Sequence, residues 1–117
     1  MEYKGRKIGF KRTVGAVSDL ARLAPDGSIE RMGELFTGDL STTVESGAQF
    51  LSILNKWYEK SLVFEIDGYK PNPIPADWFL MLDENVYSDL INEAMKQFLD
   101  DDKVTVEAVE PKGSKKN

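Results

Sequence analysis

The sequence contains no cysteine and no histidine, and each absence excludes a class of function. Without cysteine there is no disulfide framework, thiol nucleophile, iron–sulfur cluster or Cys-ligated zinc. Without histidine there is no Ser-His-Asp triad, and the commonest general base and zinc ligand is missing. We therefore expect a protein without catalytic residues, cofactor or metal.

Long apolar runs are also missing. The longest run, Trp78 to Leu82, is far shorter than the ~20 residues that span a bilayer. The first residues, Met1 to Gly5, show no apolar signal-peptide core. With 117 residues, of which 41% are hydrophobic, the composition predicts a cytoplasmic protein with one globular domain, residues 1–111, and a disordered basic tail, residues 112–117.

Acidic charge dominates, but it is unevenly distributed. The net charge is −5, although residues 1–12 carry +4 and residues 112–117 carry +3, which leaves −12 on residues 13–111. An acidic body with two basic ends is a poor nucleic-acid binder, because a phosphate backbone favours a continuous basic face. The acidic charge is either a solubilising surface or a field that holds a basic or aggregation-prone partner.

Apolar residues recur at helical spacing in four segments, each preceded by a residue that can cap a helix. The predicted N-caps are Thr13 for a helix to about Leu23, Ser28 for a short helix over 29–36, Thr42 in a capping box with Glu45 for the longest and central helix, and Asp83 for a helix to about Leu99. Pro75 opens a further helix of one or two turns.

The remaining segments are a loop and two strand candidates. Residues 61–66 fit either a helix extension or a short strand, and the three prolines of 67–75 predict a loop. Residues 3–10 are β-like but interrupted by Gly5 and Gly9, which predicts a weak or bulged edge strand, and residues 103–109 alternate as strands do. The predicted fold class is α+β: a mostly helical single domain with a small antiparallel sheet formed by the N- and C-terminal strands.

No motif of an active site is present. The run Asp100-Asp101-Asp102 lacks the alternate ligand spacing of a calcium loop, so we interpret it as a solvated helix end. The adjacent aromatic pairs Trp57-Tyr58 and Trp78-Phe79 are either core residues or a protein-binding patch. We name Trp57, Tyr58, Trp78 and Phe79 as the protein-binding candidates, with Phe36 and Tyr69 as weaker ones.

The order of segments is similar to that of a known family. The segments that carry the resemblance are Leu51 to Glu59 at the end of the long helix, the loop Pro71-Asn72-Pro73, the helix entry Ala76-Asp77-Trp78-Phe79, the last helix, and Thr105 to Gly113. Together they cover most of the chain and resemble the tail assembly chaperones of long-tailed phages and prophages of Gram-positive bacteria.

The resemblance implies a non-enzymatic protein of the bacterial host cytoplasm. Such chaperones associate with the tape measure protein and with tail tube subunits during tail building, and are absent from the finished virion. We also expect weak homo-oligomers, formed through exposed strand edges. Neither a nucleic-acid partner nor a membrane is expected.

A longer product is a further implication of the resemblance. Such proteins commonly come in a short and a longer version, the longer one made by ribosomal frameshifting. The residues Lys115-Lys116-Asn117 can be encoded by an unbroken run of adenines on which tRNAs slip, so we expect an overlapping reading frame there.

Two other kinds of protein fit the same composition. A head–tail connector or tail completion protein would share the size and acidity but persist in the virion. A small regulatory binding module of bacterial origin is the third interpretation.

Overall fold

The computed structural model describes residues 2–24, 27 and 39–109, and for residues 100–109 the backbone alone. Within them the chain is mostly helical, with one small antiparallel sheet, so the predicted α+β class is confirmed. The elements in chain order are β1 Glu2–Tyr3, β2 Arg6–Lys7, α1 Val14–Leu23, α2 Leu40–Ser61, a 3-10 helix Leu62–Phe64, α3 Ala76–Leu80 and α4 Glu84–Val109. The predicted helix over 29–36 and the tail 112–117 lie outside the described residues.

The sheet is a local hairpin rather than a pairing of the two ends of the chain. β1 pairs antiparallel with β2, and Tyr3 lies opposite Arg6. The turn between them places Lys4 at φ 52° and Gly5 at φ 84°, and positive φ at both central residues suits the twist of a two-residue hairpin. The single strand predicted over 3–10 is therefore wrong: the turn at Lys4 and Gly5 divides it into two short strands, and beyond Lys7 the chain continues without regular structure.

The predicted C-terminal strand is also wrong. α4 continues without a break from Glu84 to Val109, so it contains both Asp100-Asp101-Asp102, predicted to end it, and the alternating residues 103–109. Extending an existing helix adds one hydrogen bond for each residue fixed, whereas a strand needs a partner edge. β1 and β2 are only 2 residues long each, so the hairpin offers a C-terminal strand a very short edge, and the described residues contain no further strand.

The observed starts of α1 and α2 test two of the predicted helix caps. Thr13 is the N-cap of α1 as predicted, and its hydroxyl accepts a hydrogen bond from the amide of Ala16 at 3.0 Å. α2 begins three residues earlier than the predicted box, because the carboxylate of Asp39 accepts from the amide of Thr42 at 2.8 Å. Thr42 is therefore inside the first turn of α2 and is not its cap.

α2 is the central helix, as predicted, because α1, α3, the 3-10 helix and α4 all pack against it. Its buried apolar side chains meet those of the N-terminal segment and the other helices in one core. The largest fully buried apolar members are Ile8, Leu20, Phe50, Leu51, Leu54, Phe79 and Leu90. Within the described residues, no helix combines the length and apolarity required to cross a membrane.

Candidate functional site

Three polar side chains of α2 attach the proline-containing loop, residues 67–75, to the helix. Ser52, Asn55 and Glu59 lie on one face, since they are spaced by three and four residues. Asn55 is fully buried: its side-chain carbonyl accepts from the amide of Ile74 at 2.9 Å, and its amide donates to the carbonyl of Gly9 at 3.0 Å. One side chain thus connects the N-terminal segment, α2 and the loop.

The other end of the loop is attached through a buried carboxylate. Glu59 is 3% exposed and accepts hydrogen bonds from the Tyr69 hydroxyl and, at 2.9 Å, from the amide of Asn72. The carboxylate stabilises the protonated phenol and raises the pKa of Tyr69 to about 12. Arg6 donates to the carbonyl of Asn72, so the hairpin also contacts this end of the loop.

Between α2 and this loop, the chain exposes three apolar side chains. Phe64 is 91% exposed, and Val63 and Ile66 are each about half exposed. Isolated exposed apolar residues are ordinary, whereas a run of them marks a candidate interaction surface. We call Val63, Phe64 and Ile66 the Phe64 patch.

An open groove of about 610 Å³ adjoins the Phe64 patch. Its lining contains apolar side chains and two lysines. The lining includes Lys7, Lys11, Tyr58, Leu62, Ile66 and Tyr69. Lys11 is 3.9 Å from the carboxylate of Glu65, which also lines the groove, and both side chains are well exposed.

The predicted candidate Trp57 is half-buried at the contact of α1 and α2. Its indole lies against Gly15, and its N–H donates to Asp19 at 2.8 Å. Lys56 donates to the same carboxylate at 2.6 Å, and these hydrogen bonds from Lys56 and Trp57 lower the pKa of Asp19. The polar atom and one face of Trp57 are therefore committed to contacts within the protein.

Its neighbour Tyr58 is also half-buried, and its ring covers Gly9. A Cβ at Gly9 would lie 2.3 Å from the ring, so the close approach requires glycine. Tyr58 lines the groove, as does the weaker candidate Tyr69. Of the four principal candidates, Tyr58 is the one that lies at this surface.

The second aromatic pair lies on α3. The Trp78 ring makes edge-to-face contacts with Tyr3 at 5.8 Å and with Phe79 at 5.3 Å between ring centroids. Phe79 is 0% exposed and belongs to the core. Trp78 is half-buried, so this pair buries one ring fully and leaves the other partly accessible.

The structure does not bring the two aromatic pairs together. The ring contacts of Trp78 are with Tyr3 and Phe79, whereas Trp57 packs on α1. The weaker candidate Phe36 lies outside the described residues.

Sequence reasoning missed Phe64. The alternation of Leu62, Phe64 and Ile66 was compatible with a strand having one buried face, and nothing in that pattern says that Phe64 faces solvent.

A second, smaller exposed pair lies at the C-terminal end of α3. Met81 is largely exposed and Leu80 moderately so. Both belong to a different segment of the chain from the Phe64 patch, so substitutions at Met81 are controls for those at Phe64. In the part of the chain that the structure describes, no three carboxylates converge as a metal site would require.

No family model matches this chain, and no characterised protein or solved structure matches it either.

Proposed function

We propose that this protein is a non-enzymatic tail assembly chaperone of a phage or prophage, acting in the host cytoplasm. Its clients are the tape measure protein and the tail tube subunits, and it self-associates weakly while it covers them. Two kinds of support combine: the order of segments described above, and a surface suited to binding protein.

The single observation that carries the proposal is the Phe64 patch. A phenylalanine that is 91% exposed contributes nothing to the core and increases the risk of aggregation. Such a residue beside a groove is typical of a protein whose working state includes a partner.

The mechanism is shielding. A long helical client with apolar stripes aggregates if those stripes meet water or each other. Small domains bound along the client cover the stripes until the tube subunits replace them. The strongly negative body, −12 over residues 13–111, keeps neighbouring complexes soluble by repulsion.

Co-expression tests the proposal. The tape measure protein from the same gene cluster is produced as overlapping fragments, alone or with this protein. We expect at least one fragment to be soluble only in the presence of the chaperone and to co-purify with it. Phe64→Ser should abolish both effects, whereas the control Met81→Ser should preserve them.

The protein composition of purified virions distinguishes a chaperone from a structural component of the particle. A chaperone is absent from purified particles, whereas a head–tail connector or completion protein is present. Detection of this chain by mass spectrometry in finished particles, together with failure to solubilise any tape measure fragment, would reject the chaperone function.

A further inference from the structure

We propose that the groove beside the Phe64 patch binds an amphipathic helix of a partner protein, with acidic side chains of that helix facing Lys7 and Lys11 and its apolar side chains covering Leu62, Phe64 and Ile66. The inference rests on the proposed function in expecting a protein partner. It adds the chemistry by which that partner is recognised.

The groove lining combines apolar surface with positive charge. Tyr58, Leu62 and Ile66 contribute the apolar surface, and Lys7 and Lys11 of the N-terminal segment contribute the charge. A helix with adjacent apolar and charged faces presents the matching pair of surfaces. An open groove of about 610 Å³ suits side chains of such a helix better than an enclosed small molecule.

The two lysines of the groove favour a partner helix that carries carboxylates. Lys7 forms no ion pair with any residue that the structure describes, and the pair between Lys11 and Glu65 is long and exposed. Glu59 also lines the groove, but its carboxylate is buried and accepts from Tyr69 and Asn72. The groove therefore offers a partner two accessible ammonium groups and one weakly engaged carboxylate.

The negative charge of residues 13–111 does not remove the preference of the groove for acidic side chains. Residues 1–12 carry +4 while residues 13–111 carry −12. Charges in water are screened beyond about 8 Å at physiological ionic strength, so a bound helix responds mainly to the lysines that it touches. The body instead limits non-specific binding of other acidic proteins.

Three matched synthetic peptides of about three heptads test the proposal. One carries leucine on its apolar face and glutamate beside it, the second has lysine in place of glutamate, and the third has serine in place of leucine. Binding to the full chain is measured by fluorescence anisotropy. We expect the leucine–glutamate peptide to bind at least about tenfold more tightly than the others, and more weakly at high salt.

Charge reversal of the groove provides the stricter test. In the double variant Lys7→Glu/Lys11→Glu, the preference should invert, so that the leucine–lysine peptide binds more tightly than the leucine–glutamate peptide. The control Lys70→Glu/Lys96→Glu makes the same change in net charge at two exposed lysines that do not line the groove, and should leave the preference unchanged. Phe64→Ser should weaken binding of both leucine peptides, while Met81→Ser should not.

Equal affinity for the glutamate and lysine peptides, no detectable binding of any peptide, or an unaltered preference after charge reversal would each overturn the inference. Its failure is distinguishable from failure of the proposed function. Tape measure fragments held equally well by the charge-reversed variant would reject the groove and keep the chaperone. Peptide binding that follows the expected pattern, without solubilisation of any fragment, would reject the chaperone and keep the groove.

Discussion

Two consecutive segments after α2 contrast in how they are held. The residues 62–66 begin as a 3-10 helix, yet three of their apolar side chains face solvent. The next nine, 67–75, contain three prolines and no regular structure, yet Ser52, Asn55 and Glu59 of α2 bind them through backbone atoms and Tyr69.

The difference shows that regular structure and stability are separate properties. A loop whose backbone groups are paired by buried side chains resists opening, because breaking such bonds leaves buried polar groups unsatisfied. A helical turn that buries little is available for a partner. The loop is therefore expected to respond to core and hydrogen-bond substitutions, and the Phe64 patch to respond only to binding.

Two phenylalanines, Phe79 in the core and Phe64 on the surface, test this comparison most directly. Phe79→Ala removes a fully buried ring of α3 and should reduce the free energy of unfolding by about 3–5 kcal/mol. Phe64→Ala removes a ring that is 91% exposed and should change it by less than about 0.5 kcal/mol. Urea unfolding followed by circular dichroism measures both.

Similar losses in these two variants would contradict the comparison. A loss above about 2 kcal/mol for Phe64→Ala would mean that Phe64 is covered in the free protein, and the Phe64 patch would no longer be a candidate surface.

Asn55 is the next strongest point of attachment for the loop. Asn55→Ala leaves the carbonyl of Gly9 and the amide of Ile74 without their partner, and each unsatisfied buried group costs about 1–3 kcal/mol. We expect the free energy of unfolding to fall by about 2–6 kcal/mol, with faster amide hydrogen exchange at Ile74.

Ser52→Ala is the matched control, since it removes one hydrogen bond, of 2.8 Å, from the Ser52 hydroxyl to the carbonyl of Ile74. Its cost should be about 1 kcal/mol. If the two substitutions cost the same, the buried amide of Asn55 is not what connects the N-terminal segment to the loop.

These two segments also separate what the sequence could predict from what it could not. The prolines predicted the loop, and Thr13, Pro75 and Asp83 marked helix starts within one residue of those observed, because caps and prolines act locally. The sequence analysis did not predict the roles of Asn55 and Glu59, because a polar residue within an apolar helix face has no visible partner in the sequence. Their partners are distant: Ile74 lies 19 residues from Asn55, and Asn72 lies 13 residues from Glu59.

The predicted C-terminal strand was wrong because its local pattern carried no information about a distant partner strand. The alternation of Val104, Val106 and Ala108 is a local signal, but strand formation depends on a partner edge elsewhere in the chain. The same limit applies to the site: aromatic pairs identify apolar surface area, whereas burial of Phe79 and exposure of Phe64 depend on how α2 and α3 pack.

The attachment at Glu59 predicts a loss of stability at high pH. The folded protein holds the Tyr69 proton up to about pH 12, whereas an unfolded tyrosine releases it near pH 10. This contribution is fully present below about pH 10 and is lost as the pH rises through about 12, because the folded state binds more protons in that window. Tyr69→Phe should therefore have a shallower decline of unfolding free energy over this range.

Burial also raises the pKa of Tyr87, so the informative quantity is the difference between wild type and Tyr69→Phe. Tyr87→Phe is the control, because it keeps the contact between Tyr69 and Glu59. Identical slopes for wild type and Tyr69→Phe would mean that Tyr69 is not protonated against a buried carboxylate.

The smallest expected effect concerns the ion pair at the groove. Lys11 and Glu65 are 3.9 Å apart and exposed, so Glu65→Gln should change the free energy of unfolding by less than about 0.5 kcal/mol. The matched substitution Asp19→Asn weakens short bonds from Lys56 and Trp57 at a carboxylate that is mostly buried, and should cost about 1–3 kcal/mol. Urea unfolding of the two variants compares the carboxylate of Asp19, which we expect to stabilise the fold, with that of Glu65, which we expect to contribute little to stability. If Glu65→Gln costs as much as Asp19→Asn, the pair helps to hold residues 62–66 in place, and the groove charges act on the fold as well as on a partner.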